Sequence, residues 1–279
     1  MSRTLEYVAV EPGLDLAVEV TGEGLPVVLA HGGGQTRGSW GTAVQALAAR
    51  GFACWSVDLR GHGDSDWAPD GSYHVTRVAE DLARVLGAVG RPAAIVGASY
   101  GGVAALVAAG TLHPEPTAVV LVDVVPRMRS EGVDRIKAFM TSHPEGFRDL
   151  EEAAEAVGAY LPHRPASAGA GLRRNLRLRE DGRWHWHWDP RLLEADASIP
   201  ETVALVEDAV RRIRVPVSLV RGLRSDVVDS EGVEALRALL PDLAVVDLPK
   251  AAHTAAADDN DAFAEAVLAL LPGAPHGPQ

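Results

Sequence analysis

Ser99 stands in Val96-Gly97-Ala98-Ser99-Tyr100-Gly101-Gly102, with glycine two residues before it and two after it. An apolar run, Ala93-Ala94-Ile95-Val96, leads in, and a run of small residues at 103–109 leads out. The pattern predicts a strand, a sharp turn and a helix, and G-x-S-x-G is the spacing that suits a serine nucleophile on such a turn. So tight a turn strains the serine backbone. Its neighbours must be small, or strand and helix could not approach each other. The hydroxyl is pushed outward, and the Tyr100 N–H falls at a helix start, where it has no intrahelical acceptor. One motif thus supplies a nucleophile and one donor for a developing oxyanion, a pairing suited to acyl transfer. In a chain with 28 glycines the pentapeptide alone is a weak signal, so its surroundings have to carry it.

A second polar stretch, His31-Gly32-Gly33-Gly34, follows the apolar run Pro26-Val27-Val28-Leu29-Ala30. Glycines there let a backbone N–H reach a ligand oxygen with no side chain in the way, and Gly33 is the candidate second donor. Seven histidines follow Ser99: His113, His143, His163, His185, His187, His253 and His276. Only His253, in Lys250-Ala251-Ala252-His253-Thr254, comes just after the last predicted strand, which makes it the candidate general base. An acid must then accept its Nδ1–H and fix its tautomer. Asp226, Asp123 and Asp229 compete for that place, each beyond a predicted strand.

The elements that would hold these residues read plainly. Residues 5–10 and 14–20 form a hairpin pattern around Glu11-Pro12-Gly13. From residue 26 onward strands alternate with helices: strands at 26–30, 52–57, 93–97, 117–122, 215–220 and 244–248, and helices at 39–50, 75–89, after Ser99, at 230–240 and at 261–271. Continuous apolar strands alternating with helices predict a mostly parallel sheet buried on both faces. Ligands of such sheets sit beyond the carboxyl ends of the strands, where each candidate polar residue falls. Ser230 is the predicted cap of the helix at 230–240. Between 127 and 212 the pattern is helical with no obvious strand, which reads as an insertion. The tail at 272–279 is rich in proline and glycine and reads as frayed.

Composition narrows the function classes. A hydrophobic fraction of 47% and a charged fraction of 23% are those of a soluble globular protein. The net charge of −12 argues against nucleic acid and anionic membrane surfaces as partners. The single cysteine, Cys54, lies in an apolar run and reads as a buried inert thiol. The ten histidines show no H-x-x-x-H or H-E-x-x-H spacing, so no metal site is expected, and no cofactor is expected either. No apolar signal region or membrane span is seen, and the expected address is the cytoplasm.

Taken together, His31-Gly32-Gly33-Gly34, Asp58-Leu59-Arg60-Gly61-His62-Gly63-Asp64-Ser65, the Ser99 motif, Leu121-Val122-Asp123 and His253 resemble the motifs of the α/β-hydrolase fold superfamily. Within it the chain is similar to bacterial serine esterases and to members labelled haem-free haloperoxidases or perhydrolases. The resemblance covers residues 1–126 and 213–271, and it departs at Ala252, where relatives often have glycine. It implies a core of residues 1–126 and 213–279 with a helical cap at 127–212. It implies a Ser99–His253–Asp226 triad, Asp226 having the usual place in chain order, and an oxyanion hole of the Gly33 and Tyr100 N–H groups. The implied activity is hydrolysis of a small-to-medium carboxylic ester or lactone. A serine nucleophile suits acyl carbons, whereas members that attack alkyl carbons carry aspartate there. Perhydrolysis, acyl transfer to another acceptor, and ligand sensing with weak turnover are the competing readings.

The cap holds an unusual run, Arg183-Trp184-His185-Trp186-His187-Trp188. Its tryptophans either fill a cap core or wall a substrate pocket, and Trp40, Trp67 and Tyr100 are candidates for the same pocket. Arg173, Arg174, Arg177 and Arg179 form a basic cluster that either pairs with Glu180 and Asp181 or holds a substrate carboxylate. His62, in the Gly-rich loop, reads as structural.

Overall fold

The computed structural model describes residues 2–161, 172–194, 199–253 and 260–273. Its centre is an eight-stranded sheet in the order β1-β2-β4-β3-β5-β6-β9-β10. The strands are β1 (Arg3–Glu11), β2 (Leu14–Thr21), β3 (Leu25–Ala30), β4 (Phe52–Val57), β5 (Ala94–Ala98), β6 (Val119–Val122), β9 (Val217–Gly222) and β10 (Ala244–Leu248). The hairpin β1–β2 is antiparallel, and β2 joins β4 antiparallel. Every pairing from β4 to β10 is parallel.

Continuous apolar strands need cover on both sides, and the sheet has it. Val28 and Ala30 face α2 (Val75–Val89) and α3 (Ser99–Thr111) in one buried cluster. Val27 and Leu29 face α1 (Gly41–Ala49) and α8 (Asn260–Leu270) in another. The two-residue alternation of a strand thus sends neighbouring valines and leucines into different cores.

Between β6 and β9 lie α4 (Ser130–Met140), α5 (Leu150–Tyr160), the short strands β7 (Leu176–Leu178) and β8 (Trp184–Trp186), and α6 (Ile199–Val210). The helical pattern of the sequence shows no strand here, yet the region holds two. Leu176 pairs with Trp186 and Leu178 with Trp184, giving a small antiparallel hairpin. Met140, Phe147, Leu176, Trp186 and Trp188 close over it as a separate core. By contrast α6 packs on α3, with Val206, Ala209 and Val210 in the main cluster. A second correction concerns α7 (Ser230–Leu239): its cap is Asp229, whose carboxylate accepts the Gly232 N–H at 2.8 Å, while Ser230 opens the helix proper. The tail from residue 274 lies outside the described residues.

Candidate active site

Register sets the site. Ala30 pairs with Gly97, Ala98 with Val122, and Val122 with Val220, so β3, β5, β6 and β9 end side by side. The next residues of β5 and β6 are Ser99 and Asp123, and both have positive φ, 45° and 46°. Such backbone is costly for any residue but glycine and persists only where the surroundings enforce it. Around Ser99 the enforcement is close packing. A Cβ on Gly101 would stand 2.4 Å from the Ala30 carbonyl oxygen, and one on Gly97 2.6 Å from the Gly102 Cα. The small residues of the motif are therefore required by the approach of α3 to β3 and β5.

His253 reaches the same point from beyond β10. Its Nε2 lies 3.2 Å from the Ser99 Oγ, and its Nδ1 lies 2.8 Å from the Asp123 Oδ2. Asp123 is fully buried, and its carboxylate is well supplied with donors. The Gly222 N–H donates to Oδ1 at 2.9 Å and the Ser225 hydroxyl to Oδ2 at 2.5 Å. Ser225 is itself fixed, because its Oγ accepts the N–H groups of Val227 and Val228.

Asp226 is not brought to His253. Its carboxylate pairs with Arg135 of α4 at 2.7 Å. The reason is the approach of α4, whose Gly132 is so close that a Cβ there would stand 2.4 Å from the Asp226 carbonyl oxygen. Asp226 thus lies at the α4 contact, and the carboxylate facing His253 comes from the neighbouring strand end. Asp229, the third candidate, is committed to capping α7.

The loop after β3 lies against the elbow. A Cβ on Gly32 would stand 3.2 Å from the Ser99 Cβ, and one on Gly33 4.0 Å from the Tyr100 Cβ. The Gly32 N–H donates to Gln35 Oε1 at 3.2 Å and the Gly34 N–H to His62 Nε2 at 3.1 Å. The Gly33 N–H between them has no acceptor among the described residues, and the Tyr100 N–H lies in the first turn of α3. Both donors sit beside the serine.

A cavity of about 470 Å³ opens over Ser99 and His253. Gly33 and Tyr100 line it from the core, and Val133, Phe139, Met140, Tyr160, Trp186 and Trp188 from above. Trp186 and Trp188 stack 4.7 Å apart, and Phe139 stacks on Tyr160 at 4.1 Å. These rings make an apolar aromatic wall.

The other candidates for that wall lie elsewhere. Trp40 is 2% exposed and packs on Phe263 across the opposite face of the sheet. Trp184 pairs through its backbone with Phe147 and lies under the Arg173 guanidinium, away from the cavity. Trp67 is exposed under Arg179. Arg177 donates to the Asp64 carboxylate at 2.9 Å and to the Gly63 carbonyl at 3.0 Å, which ties the hairpin to the loop after β4. Neither Arg173, Arg177 nor Arg179 lines the cavity, and the Arg174 side chain lies outside the described residues. Cys54 is buried, and burial pushes its thiol up to about 12, as an inert core cysteine requires. Among the described residues no cluster of three or more histidine, cysteine, aspartate or glutamate side chains is placed to hold a metal, and no helix is long and apolar enough to cross a membrane.

Comparison with known proteins shows the family. A family model described as "Alpha/beta hydrolase family" matches residues 27–266. An esterase of Mycobacterium tuberculosis, Rv0045c, is 30% identical over 275 residues, covering 95% of this chain and 89% of its own. A crystal structure of that esterase superposes with a TM-score of 0.75 at 28% identity, over 96% of this chain and 90% of its own. A 2-(acetamidomethylene)succinate hydrolase of Mesorhizobium japonicum is 31% identical over 208 residues, 72% of each chain. The crystal structure of an E-2-(acetamidomethylene)succinate hydrolase reaches a TM-score of 0.85 at 24% identity over 96% of this chain and 99% of its own, a likeness of fold.

Proposed function

Because the chain belongs to the alpha/beta hydrolase family, we propose that it is a serine hydrolase that cleaves a carboxylic ester or lactone through an acyl-enzyme on Ser99. The observation that carries this reading is the continuous contact Ser99–His253–Asp123, with distances of 3.2 and 2.8 Å, beneath an apolar cavity. Its esterase and hydrolase relatives support the reaction class.

In this reading His253 Nε2 takes the Ser99 proton as Oγ attacks the acyl carbon. Asp123 accepts the Nδ1–H, fixes the tautomer and stabilises the imidazolium. The oxyanion falls between the Gly33 and Tyr100 N–H groups, each worth roughly 2.7–4 kcal/mol to such a transition state. His253 then protonates the leaving alcohol, and water attacks the acyl-enzyme by the reverse sequence. The region 127–212 acts as the cap, its α4, α5 and tryptophan hairpin roofing the cavity and selecting apolar acyl or alcohol groups. The substrate is a small molecule.

The test is steady-state hydrolysis of short p-nitrophenyl esters by the wild type and Ser99→Ala, alongside labelling by a fluorophosphonate probe. The reading requires turnover in the wild type, label on Ser99, and neither in the variant. Label without turnover of any ester or lactone would point to a ligand sensor and overturn it.

A further inference from the structure

Three histidines stand in a row beside the Gly-rich loop, and the serine chemistry uses none of them. The rings of His31 and His62 meet edge to face with centroids 5.0 Å apart, and those of His62 and His187 lie 5.9 Å apart. All three are buried. Their partners fix their tautomers. His31 Nε2 accepts the Leu59 N–H at 3.0 Å, so its Nδ1–H donates to the Gly32 carbonyl at 2.8 Å. His62 Nδ1–H donates to the Arg60 carbonyl at 2.9 Å, and its Nε2 accepts the Gly34 N–H at 3.1 Å. His187 Nδ1 accepts the Gly63 N–H at 2.7 Å. Its Nε2 must then carry the proton, and it has no acceptor among the described residues.

Burial holds all three rings neutral: His31 is lowered to about 4, His62 to about 3, and His187 well below its ordinary value. A neutral imidazole keeps one acceptor nitrogen. On His62 that acceptor holds Gly34, the residue after the candidate oxyanion donor. Gly34 has a φ of 71°, and the cap rests on it: a Cβ there would stand 3.1 Å from the Met140 Cε and 3.3 Å from the Trp188 ring. His187 adjoins Trp188 and sits on Gly63, beside His62. An apolar side chain here would leave the Gly63 N–H without its acceptor, so the ring is held for that bond and not for packing alone.

We propose that His62 and His187 are positioning residues for the oxyanion hole: His62 sets the Gly33 amide by holding the Gly34 N–H, and His187 ties the cap hairpin to that arrangement. The inference rests on the acyl-enzyme reading. Cap seating and transition-state stabilisation are then coupled through two neutral imidazoles that touch no reacting atom.

Four variants of the full chain test it: H62L, H62Q, H187L and H187N. Each is measured for kcat and KM on p-nitrophenyl butyrate, for inhibition by a trifluoromethyl ketone that forms the tetrahedral adduct, and for Tm. H62L should lose about 10- to 100-fold in kcat, less than the 10²–10³ of losing an oxyanion donor outright. Its KM should stay within about twofold, and the ketone should weaken by the same factor as kcat. H62Q, whose Oε1 can accept the Gly34 N–H, should recover most of the loss. H187L should weaken the ketone about 5- to 10-fold, and H187N, whose Oδ1 stands in for Nδ1, should restore it. Folded H62L and H187L with unchanged ketone affinity would overturn the proposal, as would a loss carried by KM. If H62L does not fold, the H187L–H187N pair decides alone. A wild type that fluorophosphonate leaves unlabelled would instead sink the acyl-enzyme reading itself.

Discussion

Ser99 and Asp123 share a left-handed backbone, a conformation that costs a non-glycine residue on the order of 1–3 kcal/mol. Each follows directly on a buried strand whose register is locked to its neighbours, so the strain is imposed by the sheet. For Asp123 the return is a carboxylate that keeps donors on both oxygens and still faces His253. Asp123→Asn would present an amide to Nδ1 and favour the wrong tautomer. The expected loss is about 10⁴-fold in kcat on a p-nitrophenyl ester, with KM little changed. Asp226→Asn is the matching control. It weakens only a partly exposed pair with Arg135, an interaction worth less than about 1 kcal/mol, so kcat should stay within about twofold. The reverse ranking of the two variants would return the acid's role to Asp226.

At the scale of elements, the elbow works because α3 can lie almost in contact with β3. Gly101→Ala would drive a Cβ into the carbonyl oxygens of Ala30 and His31, both backbone atoms that cannot step aside. The expected cost is about 3 kcal/mol, the upper end for overpacking, read as a lower denaturation midpoint. Gly87→Ala, in α2 where a new Cβ meets nothing within 4 Å, should stabilise the fold by about 0.5–1 kcal/mol. The same contrast marks what a sequence shows. Runs such as 26–30 and 119–122 could only be strands covered on both faces, and glycines spaced about Ser99 could only serve a close approach, so the core, the turn at Ser99 and the place of His253 beyond the last strand were legible. Which of Asp123 and Asp226 faces His253 was not, since both follow strands that lie next to each other in the sheet. It turned on the approach of α4 to Asp226 through Gly132 and Arg135, a long-range contact without local pattern. The alternating run at 184–188 carried strand periodicity, yet only its pairing with Leu176–Leu178 shows which tryptophans reach the cavity.

For the molecule as a whole, burying His31 and His62 in neutral form links stability to pH. Their folded values of about 4 and about 3 lie below the ordinary 6.5 of an unfolded histidine. Between those limits the unfolded chain binds protons that the folded chain does not, so the stability of the fold rises with pH there. Well above pH 6.5 both rings are neutral in either state and their contribution is complete. As pH falls from 6.5 towards 4, each ring removes up to about 1.4 kcal/mol per pH unit. Of these two the loss continues for His62 down to about pH 3, and His187, also held well below its ordinary value, adds to the fall in the same direction. The urea midpoint should therefore be flat above about pH 7 and fall steeply between about pH 6 and pH 4.5, a window above the usual carboxylate range. H62Q, with no imidazole at that position, should show a shallower fall over the same window. A midpoint that holds level until the carboxylates titrate would mean that His31 and His62 take up protons in the folded state. The His62 acceptor that secures Gly34 would then already be lost at mildly acidic pH.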